Sequence, residues 1–322
     1  MKNLLSLCLT ALSFVAFSAD AKDEKQLVAI TQFVSHPALD AAYKGIVDEL
    51  AKLGFKKGEN IEIIYEIAQS DQALQTQIAQ RFAGKKPAVA VGISTPSAQT
   101  LKVAAHEQFP IVFSAVTDPV AADLLKNKGA PEGNITGASD SVAFSEGVKM
   151  IGEFLPDAKT IGTVYNPGEA NSQAAIRELE AVLKEKNIKL ISAPAARSSE
   201  VLDAARSLNG KVDAIYLTLD NTAISSIASV IQVCEQNKIP LFTVDTSSVS
   251  DGAIAALGFS YYEHGKETGK LIAKVLQGEK ISNIPVKTME TLELHLNPKA
   301  AERMGLKVSD ELQKSAKHII DK

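Results

Sequence analysis

The chain has 322 residues, 45% of them hydrophobic and 22% charged, with a formal net charge of −4. That is ordinary globular composition, long enough to fill two cores. With no basic stripe, and no helix-turn-helix segment ahead of the first strand, it argues against a nucleic-acid partner.

Residues 1–21 read as a cleaved secretory leader. Lys2 supplies the positive end, Leu4 to Phe17 is apolar apart from Ser and Thr, and Ala19-Asp20-Ala21 puts small residues at the cleavage positions. The run is too short for an ordinary membrane span. The mature chain is expected to start at Lys22 and to be periplasmic. Cys8 lacks the small residues that precede a lipidated cysteine and leaves with the leader. Cys234 is then alone, so no intramolecular disulfide is expected.

From Gln26 onward, short β-rich runs alternate with amphipathic segments, the mark of parallel α/β architecture. Leu27 to Ile30 is the first predicted strand. Its helix places Leu39, Ala42, Ile46, Leu50 and Leu53 on one face and closes at Gly54. Strands follow at Ile61 to Tyr65, Val89 to Val91 and Ile111 to Phe113, with helices at Asp71 to Phe82 and Pro96 to His106. The rhythm restarts after Asn134-Ile135-Thr136-Gly137. Strands are predicted at Thr160 to Val164, Ile188 to Ile191, Ala214 to Leu217 and Pro240 to Thr243, and helices at Ser145 to Phe154, Ser172 to Lys186, Glu200 to Leu208 and Thr222 to Gln236. Ala253 to Val275 is one more strand plus helix, placed with the first lobe.

The expected fold is therefore α/β, with two doubly wound parallel-sheet lobes joined by a hinge. Residues 22–140 plus about 250–280 form the N-terminal lobe, and about 141–249 plus 281–322 form the C-terminal lobe and closing segment.

Ligands of open parallel sheets bind at the carboxyl ends of the strands. In the first half these ends read Ser35-His36-Pro37, Ser94-Thr95-Pro96 and Thr117-Asp118-Pro119. Each pairs a capping residue with a first-turn proline, and each alone is equally a plain helix cap. Three on one sheet edge would aim positive helix ends at a carboxylate. The second half offers Tyr165-Asn166, Asp220-Asn221 and Asp245, where either aspartate could accept from an ammonium or simply cap a helix. Together the halves suggest an α-amino acid. Phe33, His36 and Tyr165 fall at or just after strand ends, where they could wall a flat ligand, although Phe33 is equally a core residue. A sugar is disfavoured: the chain has no Trp, Arg197 falls at the sheet margin, and the other arginines map to helical segments.

No catalytic or metal-binding motif is expected from the sequence. The five histidines are scattered, and HExxH, GxSxG and Walker patterns are absent. His106 and His264 read as surface or satisfied core residues. No cofactor is expected.

The strings Gln32-Phe33-Val34-Ser35-His36-Pro37-Ala38-Leu39-Asp40, Thr95-Pro96-Ser97-Ala98-Gln99, Thr117-Asp118-Pro119 and Asp220-Asn221-Thr222 resemble the tryptophan/tyrosine-type ABC transporter substrate-binding proteins. The similarity extends from Val28 through Leu296-Asn297-Pro298 to Gly305. It implies the type I periplasmic-binding-protein fold and a monomeric receptor that delivers a free aromatic amino acid to a permease and ATPase. It also implies that Ser35, His36, Ser94, Thr95, Ser114, Thr117 and Asp118 of one lobe, and Asn166, Ser172, Asp220 and Asn221 of the other, touch the ligand. The chain departs from many relatives in lacking a lipid-modified cysteine. A sensory receptor subunit would share all these features, and an enzyme would need an acid, base or nucleophile in the cleft.

Overall fold

A computed structural model describes residues 25–321, so the expected leader and Cys8 lie outside the described residues. The first βα array comprises β1 (Gln26–Gln32), α1 (Pro37–Lys52), β2 (Ile61–Ile67), α2 (Gln72–Lys85), β3 (Val89–Ile93), α3 (Thr95–Ala105), β4 (Ile111–Ser114) and β5 (Ile135–Ser139). The second comprises α4 (Phe144–Phe154), β6 (Thr160–Tyr165), α5 (Ala170–Glu185), β7 (Lys189–Pro194), α6 (Val201–Ser207), β8 (Ala214–Leu217), α7 (Asn221–Ser225), α8 (Ile227–Asn237), β9 (Leu241–Thr243), α9 (Ser248–Asp251) and β10 (Ala255–Gly258). The tail adds α10 (Tyr261–Leu276), β11 (Lys287–Thr288), β12 (Glu293–Leu296), α11 (Pro298–Arg303), α12 (Asp310–Ser315) and β13 (His318–Ile319).

The strands assemble into two sheets, ordered β11-β5-β4-β3-β1-β2 and β13-β12-β10-β9-β8-β6-β7. All pairings are parallel except β10 with β12. Helices cover both faces, so central strands are buried throughout and read as apolar runs, as β3 (Val89–Ile93) does. In α1, Leu39, Ala42, Ile46 and Leu50 are buried, but Leu53 caps the helix and is 42% exposed.

Three expectations are corrected. The segment after Asn134, given no element from sequence, is β5, paired in register with β4 inside the first lobe. The Ala253 to Val275 unit is divided: β10 pairs with β9 in the second sheet, whereas α10 packs along α1 of the first lobe. The tail is divided likewise, because β11 pairs with β5 in the first sheet and β12 with β10 in the second. The chain therefore passes between the lobes three times, after β5, after β10 and after β11.

The α1–α10 contact explains the split. A methyl on Gly265 would lie 2.0 Å from the Ala42 carbonyl oxygen, and one on Gly45 would lie 2.1 Å from that of Tyr262. Bare glycines let the two helix backbones touch, and dispersion contacts accumulate along them. The expected helix Thr222 to Gln236 is also broken, at Ser226, into α7 and α8.

Candidate functional site

Between the carboxyl ends of the two sheets lies a small cavity, walled by side chains of both lobes. The first lobe lines it with His36, Ala38, Leu39, Ala115 and Thr117, and the crossovers add Asp140 and Tyr261. The second lobe contributes Asn171, Leu219, Asp220, Asn221, Ile224 and Asp245.

At the start of α1, His36 is extended and Pro37 supplies a preset first turn, but no side chain caps the helix. The first turn of α1, with Ala38 and Leu39, thus lines the cavity, and a helix N-terminus carries partial positive charge. Nδ1 of His36 is buried and without a hydrogen-bond partner. Burial holds this imidazole below its usual pKa, against the pull of Asp245 across the cleft and of Asp40. A neutral ring at this position can donate or accept.

Asp140 immediately follows β5, in the first crossover. The Tyr261 hydroxyl, from the second crossover, donates to its Oδ2 at 2.9 Å. Its Oδ1 is buried and has no partner. Burial lifts the Asp140 pKa to about 6, although the hydrogen bond from Tyr261 opposes the rise. A carboxylate with one anchored oxygen and one open oxygen is a ready acceptor for an ammonium, whose charge would offset the desolvation.

Asp220 is differently placed. Its Oδ2 accepts from the Asn166 amide and the Ser172 hydroxyl, each at 2.6 Å, and its Oδ1 caps α7 through the Ala223 amide at 2.7 Å. Beneath it, buried Glu169 accepts from the Asn171 Nδ2 at 3.2 Å, the Thr222 hydroxyl at 2.9 Å and the Asn221 side chain. Burial, and then the Glu169 charge, raise the Asp220 pKa to about 7. Asp245 accepts from the Ser247 amide at 3.0 Å and the Ser248 hydroxyl at 2.6 Å. The floor of the second lobe is thus knitted together by its own hydrogen bonds.

Asp220 also links stability to pH. A carboxyl whose folded pKa lies above its unfolded value holds an extra proton in the folded state. Its contribution is complete below pH 3.8 and is lost as pH rises through about 7. Asp220→Asn is expected to reduce the fall in melting temperature across that window. An unchanged fall, measured by calorimetry, would assign it to another group.

Of the residues singled out from sequence, the structure brings His36, Thr117, Asp220, Asn221 and Asp245 to the cavity wall, with Asn166 and Ser172 behind Asp220. The others lie elsewhere. Phe33 is a core residue, 5% exposed, and half-buried Tyr165 ends β6 without lining the cavity. Ser35 is exposed and donates to Asp40 at 2.8 Å, and Ser114 pairs with Thr268 at 2.9 Å. Ser94, at a left-handed φ of 77°, and Thr95 start α3 with buried, unpartnered hydroxyls, yet neither lines the cavity. Asp118 starts no helix. It caps a turn through the Val120 and Ala121 amides and pairs with Lys128 at 3.0 Å. The expected cradle of three helix ends is therefore carried at the cavity by α1 alone.

Sequence reasoning passed over Asp140, Tyr261 and the apolar walls Leu39, Leu219 and Ile224. The signal for Asp140 was its place after a strand end, lost when Ile135 to Gly137 was read as a break.

Two doubly wound lobes, three crossovers and a cavity at facing strand ends define a cleft receptor of the type I periplasmic-binding-protein fold. The chain belongs to the ABC transporter substrate binding protein family, which it matches over residues 27–320. It is 38% identical over 308 residues to a tyrosine-binding protein of Clostridioides difficile, covering 92% of this chain and 89% of that one. Among solved structures it resembles an ABC domain in complex with L-Trp from Streptococcus pneumonia, with TM-score 0.88, 31% identity, and 92% and 100% of the two chains covered. It also resembles the ligand-free, open structure of a substrate binding protein with adhesive properties from Clostridium difficile, with TM-score 0.69, 36% identity and the same coverage of 92% and 100%. The lower score accompanies the higher identity.

No helix among the described residues is long and apolar enough to cross a membrane. Cys234 is buried.

Proposed function

We propose that this chain is the periplasmic solute receptor of an ABC importer and that it carries a free aromatic amino acid between its lobes. The observation that carries this reading is the unpaired Oδ1 of Asp140, buried at a cavity whose other pole is the uncapped start of α1. An acceptor at one pole and free amides at the other suit a zwitterion. Leu39, Leu219, Ile224 and Tyr261 line the space between and suit an apolar ring. The names of the tyrosine-binding relative and the L-Trp complex point the same way.

In this reading Asp140, rather than Asp220, accepts from the ammonium, and α1 holds the carboxylate. Closure around the ligand would present the paired lobes to a permease and its ATPase. The chemistry is binding and release as a monomer, with no bond made or broken.

Calorimetric titration tests the proposal. Tyrosine, tryptophan and phenylalanine are expected to bind one per chain and to be recovered unchanged. Equal competition by leucine or a sugar would overturn the aromatic assignment, and conversion of the ligand would overturn the binding role.

A further inference from the structure

We propose that Glu293, His295 and His318 form a site for one divalent first-row transition metal ion, with zinc the best match, at the outer strands of the second sheet. Glu293 and His295 are two residues apart on β12, so their side chains leave the same face. His318 on parallel β13 stands in register with His295, which brings a third donor to that face. One ligand atom from each residue lies within 4.8 Å of the other two. The Glu293 Oε2 sits 3.7 Å from His295 Nε2 and 3.9 Å from His318 Nε2, and the two rings are 4.5 Å apart.

Those separations are too long for direct hydrogen bonds. They approach the spacing of about 3.3 Å between donors that each lie 2.0–2.1 Å from one tetrahedral zinc ion. Small side-chain rotations close the gap. His295 Nε2 is moreover buried without any hydrogen-bond partner, a debt that a metal ion would discharge. Two imidazoles and one carboxylate match the preference of zinc and its neighbours for mixed nitrogen and oxygen donors. Three protein ligands leave one position open. It faces a groove of about 370 Å³ that runs past Asp245, Ser247 and Tyr262, wide enough to admit water as the fourth ligand.

The site has a mechanical consequence. β13 spans only His318–Ile319, and β12 receives the chain from the third crossover. A metal ion would pin the end of the chain to the strand beside that crossover. The inference is independent of which solute the cleft carries.

The test uses untagged protein stripped with a chelator and titrated with zinc, and separately with cobalt. One equivalent of zinc is expected to bind, and cobalt is expected to give the visible absorption of a four-coordinate nitrogen and oxygen site. Glu293→Gln and His318→Ala, both on partly or well exposed side chains, should each weaken zinc binding at least tenfold while amino-acid affinity stays unchanged. Absence of saturable binding would overturn the proposal. So would one-to-one binding that both variants leave untouched.

Discussion

Asp140→Asn is expected to weaken amino-acid binding roughly ten- to a hundredfold, the equivalent of a lost charge-assisted hydrogen bond of about 1.5–3 kcal/mol. The deaminated analogue of the same ligand should lose little, because it brings no ammonium to this pole. A second effect should run the other way. Closing the empty cleft buries an ionised Asp140 with one oxygen unpaired, and that desolvation opposes closure. The ligand's ammonium supplies the missing charge, so closure is coupled to occupancy. Asparagine carries no charge to bury, so the ligand-free variant should be more compact than the ligand-free parent. Small-angle scattering would report this as a smaller radius of gyration. Equal losses for the amino acid and its deaminated analogue would remove Asp140 from the ammonium role and return Asp220 to consideration.

The alternation of strand and helix was legible because central parallel strands are buried on both faces and are therefore mostly apolar. Leu27 to Ile30 and Val89 to Val91 announce themselves that way. β5 did not, because Asn134 and Gly137 look like turn residues. Gly137 is there for another reason: a methyl at this position would lie 2.3 Å from the Phe113 carbonyl oxygen of the neighbouring strand. A glycine demanded by close approach is indistinguishable in sequence from one demanded by a turn. Losing β5 also hid Asp140. The allotment of β10 and α10 to different lobes was out of reach for a related reason. A strand–helix pair three residues apart carries no local mark of which sheet each member joins.

Site polarity was partly legible. His36-Pro37 did open α1 at the cavity, since a first-turn proline fixes the backbone wherever the helix lies. Thr117-Asp118-Pro119 carries the same local signal and opens only a turn, because the chain must travel on to β5. Phe33 stands one residue beyond β1, and its ring packs inward among the helices. Local patterns fix where strands end. Which side chains then face the cleft depends on packing between elements far apart in sequence.

L-Tryptophan is expected to bind with a blue-shifted emission that belongs to the ligand alone, because the chain contains no Trp. An aromatic side chain leaving water buries about 150–250 Å², worth roughly 4–6 kcal/mol gross at about 25 cal/mol per Å². Ordering costs reduce that figure, and at least a hundredfold preference over glycine and alanine should survive them. The walls that provide the burial are Leu39, Leu219 and Ile224, not Phe33 or Tyr165 as their sequence positions suggested. Leu219→Ala removes three carbons from the cavity face and should weaken tryptophan by up to about fiftyfold, at roughly 0.8 kcal/mol per buried carbon. Phe33→Ala should act through stability instead, lowering the melting temperature while the surviving folded protein keeps its preference for aromatic ligands. A tryptophan spectrum that stays at the wavelength of the free amino acid at saturation would place the ring in water. Competition by leucine as strong as that by tryptophan would remove the aromatic assignment and leave the hinged receptor standing.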